Sequence, residues 1–365
     1  MASYEAMAFQ FKKRQQPMNR MDYIARRLLL LIPTFIGITF LCFSVIQFVP
    51  GGPVEQTLMR MRGGGAGGES TGNITEGSEA ISPEQREAIV KHYGFDKPFL
   101  YRYWKWLWHD RIGMSMESYK FPNKTAWQLI SERFPISLTF GLTGFILTYL
   151  VCIPLGLMKA LKHGTVFDFA SSAIVFIGYS IPAFALGMVL KMAFCGTVEQ
   201  MWDILPATGF HSPDFDTLSF FGKARDIASH MLLPVICYMV GSFAVLTLLM
   251  KNSVLEQINS DYVRTVYAKG AGTLRVLVVH VMRNAMIPIA TGFGSVLTLM
   301  FAGSVIIEQV FEIPGMGSLS LEAIVGRDYP VFMGVLSLTA VLGLLGNILS
   351  DFAYITIDPR ISFGK

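Results

Sequence analysis

A chain that holds ATP by itself needs a GxxxxGK[ST] loop, whose backbone N–H groups cradle phosphates while the lysine reaches them, and this sequence has no such run. Gly315-Met316-Gly317 lacks both the spacing and the lysine. Neither HExxH nor GxSxG occurs, and the six histidines are scattered. Cys42, Cys152, Cys195 and Cys237 lie within or at the ends of apolar runs without a CxxC pair, so they read as small hydrophobes. No catalytic centre, cofactor site or metal site is expected.

Ionisable side chains inside apolar stretches are the next candidates, since each costs about 2.5 to 3.5 kcal/mol at mid-bilayer on insertion scales. Lys191 is the clear case. It lies near one end of its stretch, where its charge can snorkel to the interface; a seat for a substrate carboxylate is the alternative. Charged residues gather instead in the link 251–285. There Leu255, Ile258, Tyr262 and Val266 recur at helical spacing with Glu256, Asn259, Ser260, Arg264 and Lys269 interleaved. The pattern predicts a short amphipathic helix stopped by Gly270. Thr273 is placed to cap a second helix through Val276, Leu277 and Val279, past His280, Arg283 and Asn284. Such a surface helix either anchors on a membrane or lays its apolar stripe into a groove on a soluble partner.

These residues have to be positioned by membrane helices. Of the 365 residues 52% are hydrophobic and only 15% charged, against about 25% charged in an ordinary soluble domain. With a net charge of +4, no nucleic-acid surface is indicated. Six stretches are long and apolar enough to span: 28–49, 136–158, 169–194, 231–250, 286–307 and 331–357. Lysine and arginine concentrate in the tail 1–27 and in the links 159–167 and 251–285, which places both termini in the cytoplasm. An external loop, 50–135, carries a Gly-rich run and then Pro83 to His109, predicted helical with Ser82 as cap and Pro83 at the first position. The tail 358–365 closes the chain. Pro154, Pro182, Pro234 and Pro288 interrupt spans, and Gly292, Gly294 and Gly303 permit close approach in the fifth. Pro182, the Gly292 to Gly303 face and Glu308 are candidate pathway or gating positions. Glu308, at the outer end of that span, reads either as a contact for another protein or as an interfacial acid. Arg327 and Asp328 read as a local ion pair.

Several motifs then agree in order with one family. Asp261-Tyr262-Val263-Arg264-Thr265, Ala268-Lys269-Gly270, His280 and Arg283-Asn284-Ala285 resemble the cytoplasmic EAA loop of the dipeptide/oligopeptide class of ABC importer permeases. Tyr93-Gly94-Phe95-Asp96-Lys97-Pro98, Ile153-Pro154-Leu155-Gly156, Ser180-Ile181-Pro182, Pro314-Gly315-Met316-Gly317 and Asp358-Pro359-Arg360 match elsewhere, so the resemblance covers nearly the whole chain. Within the class, the enlarged Gly-rich loop after Pro50-Gly51-Gly52-Pro53 is most similar to the YejB type. Arg264, Thr265 and Val266 stand where the EAA acid and alanines fall, and Asp110-Arg111-Ile112-Gly113 departs from the usual turn.

The resemblance implies an all-α integral membrane protein with six transmembrane helices and the type I importer permease fold, five core helices plus an N-terminal one. It implies a coupling helix around Asn259 to Gly270 that fits a cleft in a cytoplasmic ATPase. Tyr262, Arg264, Thr265, Ala268, Lys269 and Gly270 would make that contact, with His280, Arg283 and Asn284 holding the link against the span ends. Implied partners are a second homologous permease, two ATPase subunits or one fused ATPase that bind ATP and Mg, a periplasmic or external solute-binding protein, and a peptide substrate. The implied location is the bacterial inner membrane. An ATP-independent carrier and an intramembrane enzyme are the rival readings.

Overall fold

The computed structural model describes residues 20–48, 83–92, 95–198, 201–290, 292 and 304–357. The Gly-rich run, the distal parts of both tails, Gly294 and Gly303 lie outside them. The described chain is helical: α1 (Arg20–Phe48), α2 (Pro83–His92), α3 (Phe99–Trp104), α4 (Ala126–Leu161), α5 (Val166–Ser180), α6 (Ala183–Phe194), α7 (Phe220–Ile258), α8 (Asp261–Ala268), α9 (Thr273–Ala290), α10 (Val305–Val310), α11 (Met316–Val325) and α12 (Tyr329–Ile357). Five of these are long and apolar enough to cross a membrane, six if the bent pair α5 and α6 is counted as one broken span. The expected all-α membrane fold therefore holds, with five to six candidate spans among the described residues. The expected fifth span, 286–307, is described only at its two ends.

α4 and α7 form the centre. At 1.5 Å per residue they are about 54 and 58 Å long, so both exceed a hydrocarbon core of about 30 Å. They lie side by side and parallel, because Gly144 meets Tyr238 and Gly156 meets Met250 at one constant offset. A β-carbon on Gly156 would stand 2.6 Å from Met250 Cβ and 2.9 Å from the Thr247 carbonyl, so the missing side chain is what lets the two backbones touch. A capping box starts α4, with Thr125 and Gln128 exchanging backbone and side-chain hydrogen bonds.

The span 169–194, expected as one helix, is bent by 95° between α5 and α6. Ser180 ends the first piece, and Pro182, lacking an N–H, precedes the second. At the opposite end of the bundle from α8, Pro83 to His109 is likewise divided: Pro98 stands at the start of α3, and a π-wound turn Lys105–His109 follows. The aromatic run there is split by burial. Tyr103, Trp106 and Leu107 pack on Phe40 and Phe43 of α1, whereas Tyr101, Trp104 and Trp108 stay exposed. α1 runs antiparallel to α12, held by Phe43 against Met333 and by Arg27 Nη1 to Asp351 at 3.1 Å.

Two expected acids find different partners from those foreseen. Asp328 is 1% exposed and accepts from the Ser118 hydroxyl and from the Tyr119 and Lys120 amides, at 3.1 and 3.2 Å. Its carboxylate thus fastens the 118–120 segment. Glu308 is also 1% exposed, so it neither faces another protein nor sits at an interface. It accepts from Ser137 Oγ at 3.0 Å and from the Ser318 amide at 2.7 Å, at the start of α11.

Candidate functional site

α8 follows α7 after Asn259 and Ser260. Asp261 in its first turn complements the positive helix N-terminus. Its apolar stripe is already used. Val263 is 2% exposed, and Tyr262 and Val266 pack with it on a core of Met250, Val254, Val276, Leu277 and Val281. Tyr262 Oη donates to Gln257 Oε1 at 2.9 Å and lies 3.5 Å from the His280 carbonyl. The stripe is therefore turned to this chain's own core, not outward as both the membrane-anchor and the partner-groove readings required.

What α8 offers outward is Asp261, Arg264, Thr265, Tyr267, Ala268, Lys269 and Gly270, all exposed. Arg264 Nη1 lies 3.7 Å from Asp261 Oδ1 with both side chains in solvent, a weak pair that leaves the guanidinium available to a partner. Gly270 has φ +80, and its amide donates to the Tyr267 carbonyl at 2.9 Å. Nothing lies within 4 Å of where its β-carbon would be. Left-handed backbone, not a clash within this chain, is thus why glycine stands there.

Gly272, not Thr273, precedes the next helix, and Thr273 is its first residue. α9 is π-wound over Val276–Val281. It places His280 half-buried beneath Tyr262, Asn284 half-buried and Arg283 exposed. The structure thus gathers all nine residues expected at the coupling link onto α8 and the first turns of α9.

The pathway candidates do not converge in the same way. Gly292 lines a cavity of about 280 Å³ with Gly141, Gly144, Tyr149, Ser242 and Pro288, between α4, α7 and α9. Tyr149 Oη lies 2.6 Å from where a Gly292 β-carbon would be. Pro182 is exposed at the α5–α6 bend and is not among the residues lining that cavity. Lys191 donates to the Val310 carbonyl at 2.9 Å and approaches the exposed Glu312 at 3.5 Å, so it closes the end of α10.

Sequence reasoning missed a buried ion cluster near α8. Lys159, counted beforehand as a loop charge, is 0% exposed, and its Nζ donates to the Asp168 carbonyl, Ser171 and Ser172 at 3.0, 2.8 and 2.7 Å. Lys251 Nζ lies 2.8 and 2.7 Å from the two Asp168 oxygens. The available signal was position: Lys159 and Asp168 flank a link too short to carry either far from the helices. Among the described residues no three His, Cys, Asp or Glu side chains converge as a metal site requires.

The model of a family described as binding-protein-dependent transport system inner membrane component matches residues 152–363, more than half of the chain and including α8 and α9. The chain belongs to that family. It is 41% identical over 361 residues to the inner membrane ABC transporter permease protein YejB of Escherichia coli O157:H7, covering 93% of this chain and 98% of the relative. It is 38% identical to the peptidoglycan transport system permease protein YejB of Agrobacterium fabrum, over 94% and 98% of the two chains. Against the dipeptide transport system permease protein DppB of Escherichia coli K12 the identity is 35%, over 94% and 100%. The protein is accordingly a multi-pass, inner-membrane permease component of an ABC transport system, and the carrier and enzyme readings are set aside.

Proposed function

We propose that this permease component forms half of a translocation path for oligopeptides or peptide-like compounds, with a homologous second permease as the other half and an external solute-binding protein as the source of cargo. ATP and Mg are bound by two cytoplasmic ATPase subunits, or one fused ATPase, and not by this chain. The cargo reading is supported by relatives named for dipeptide, oligopeptide and peptidoglycan transport. Residues 28–49 are the added helix and 136–357 the working core. The cytoplasmic assignment of both termini and of the 159–167 and 251–285 links rests on their basic residues.

The observation that carries the ATPase dock is the division of α8 into two faces. Tyr262, Val263 and Val266 hold it to the core, while Arg264, Thr265, Ala268 and Lys269 stand in solvent and Gly270 turns the chain away. A membrane anchor needs an apolar face turned to lipid; here that face is spent inside. A rigidly seated polar helix instead lets closure of a partner act on α7 and α9 directly. Pro182 and Gly292, with Gly294 and Gly303, are the pathway positions of this reading. With the complex solubilised in detergent, Arg264→Glu combined with Lys269→Glu is expected to release the ATPase subunits while the second permease stays bound. Full retention of the ATPase overturns the dock.

A further inference from the structure

Three helices end together beside α8, and one carboxylate joins them. Lys159 is in the last turn of α4, Asp168 in the first turn of α5, and Lys251 two turns before the end of α7. Their side chains are 0%, 8% and 12% exposed. Lys159 Nζ lies 3.3 Å from Asp168 Oδ1 and is otherwise spent on the Asp168 carbonyl, Ser171 and Ser172. The Gly164 amide, at 3.3 Å, and His163 Nδ1, at 3.2 Å, complete the shell of Asp168.

Stability is a poor reason for such a cluster. Removing ions from water is costly, and well-packed apolar residues of similar volume commonly do as well or better. What ions supply is one specific geometry, because a slipped helix leaves a charge buried and unpaired. α4 and α7 already touch through Gly156 and Met250. α5 packs along α7, but at its first turn the apolar neighbours of Asp168 turn outward: Val166 and Phe169 are 83% and 79% exposed. At that end Asp168 is the tie between α5 and the helix that leads directly into α8.

We infer that the Lys159–Asp168–Lys251 cluster is a rigid strut that makes the α4–α5 hairpin move with α7 and α8, so that force applied to α8 reaches the α5–α6 bend at Pro182. These are positioning residues; none touches cargo or nucleotide. The inference rests on α8 being the ATPase dock.

The test uses the whole complex in nanodiscs, with the binding protein loaded from a tripeptide mixture. Asp168→Asn is expected to lower binding-protein-stimulated ATPase by about tenfold while basal ATPase and subunit composition stay unchanged. Lys251→Arg, which preserves two-oxygen pairing, is expected to behave as wild type. If Asp168→Asn does not assemble, Lys251→Gln reads the same quantities. Spin labels at Val166 and Tyr267, both exposed, are expected to keep one separation in nucleotide-free and vanadate-trapped wild-type complexes. That separation is expected to differ between the two states in Asp168→Asn. Full stimulation in Asp168→Asn, or a wild-type separation that changes with nucleotide, overturns the strut. ATPase retained by the Arg264→Glu, Lys269→Glu variant overturns the dock alone, since the label distances are read separately.

Discussion

Glu308 and Gly315 explain each other. A β-carbon on Gly315 would lie 2.5 to 2.6 Å from the Glu308 carboxyl atoms, and one on Gly317 would lie 2.7 Å from the Val305 amide nitrogen. The Pro314-Gly315-Met316-Gly317 run is thus a cradle for a carboxylate, with Ser137 Oγ donating to that acid and accepting from the Met316 amide at 2.7 Å. Gly315→Ala is expected to cost about 1 to 3 kcal/mol through overpacking. Glu308→Ala should cost about as much, by leaving the Ser318 amide without its acceptor. The double variant is expected to lose less than the sum, because truncating the acid vacates the space the alanine needs; thermal unfolding in detergent measures all three. At Gly270 the conformation is the issue, so Gly270→Val is expected to strain the turn by about 1 to 2 kcal/mol. ATP-driven tripeptide uptake in membrane vesicles should fall while the amount of inserted protein holds.

Among the elements, periodicity located α8 but could not say which face the molecule would keep. An apolar stripe reads the same whether it meets its own core or a partner, and here Val254, Val276 and Val281 claim it. The break between α5 and α6 was marked by Pro182, while its 95° size depends on what each half packs against, such as Gly187, where a β-carbon would lie 3.1 Å from the Phe311 ring. The α4–α7 contact gives a sharp comparison. Gly156→Ala is expected to push the parallel pair apart at Met250 and cost about 1 to 3 kcal/mol. Gly37→Ala in α1, where nothing lies within 4 Å, should be neutral or stabilising by up to about 1 kcal/mol from helix propensity. Thermal unfolding midpoints of the two variants, purified side by side, check the contrast.

For the molecule as a whole, the exposed surface of the spans is apolar: Leu29, Leu41 and Val45 on α1 and Phe169, Ile174 and Ile177 on α5 are all more than 60% exposed. Lipid satisfies such a surface without partners. On the orientation proposed from the basic links, a protease site appended after Lys365 is expected to be protected in intact spheroplasts, while one inserted at Gly65 is cut. Cleavage of the first or protection of the second contradicts the orientation. Length and apolar runs determined an all-α membrane chain from the sequence alone, and the spacing of apolar and polar residues determined where α8 lies, because bilayer thickness and the cost of unpaired backbone act on any contiguous twenty residues. Glu308, Asp328 and Lys159 could not be read that way. Their burial depends on groups distant in the chain: Glu308 on Ser137, Asp328 on Ser118, and the Asp168 that holds Lys159 on Lys251. Only tertiary packing brings those partners together, and it alone decides whether an acid or lysine near a span end is solvated or becomes the fastening of the helices around it.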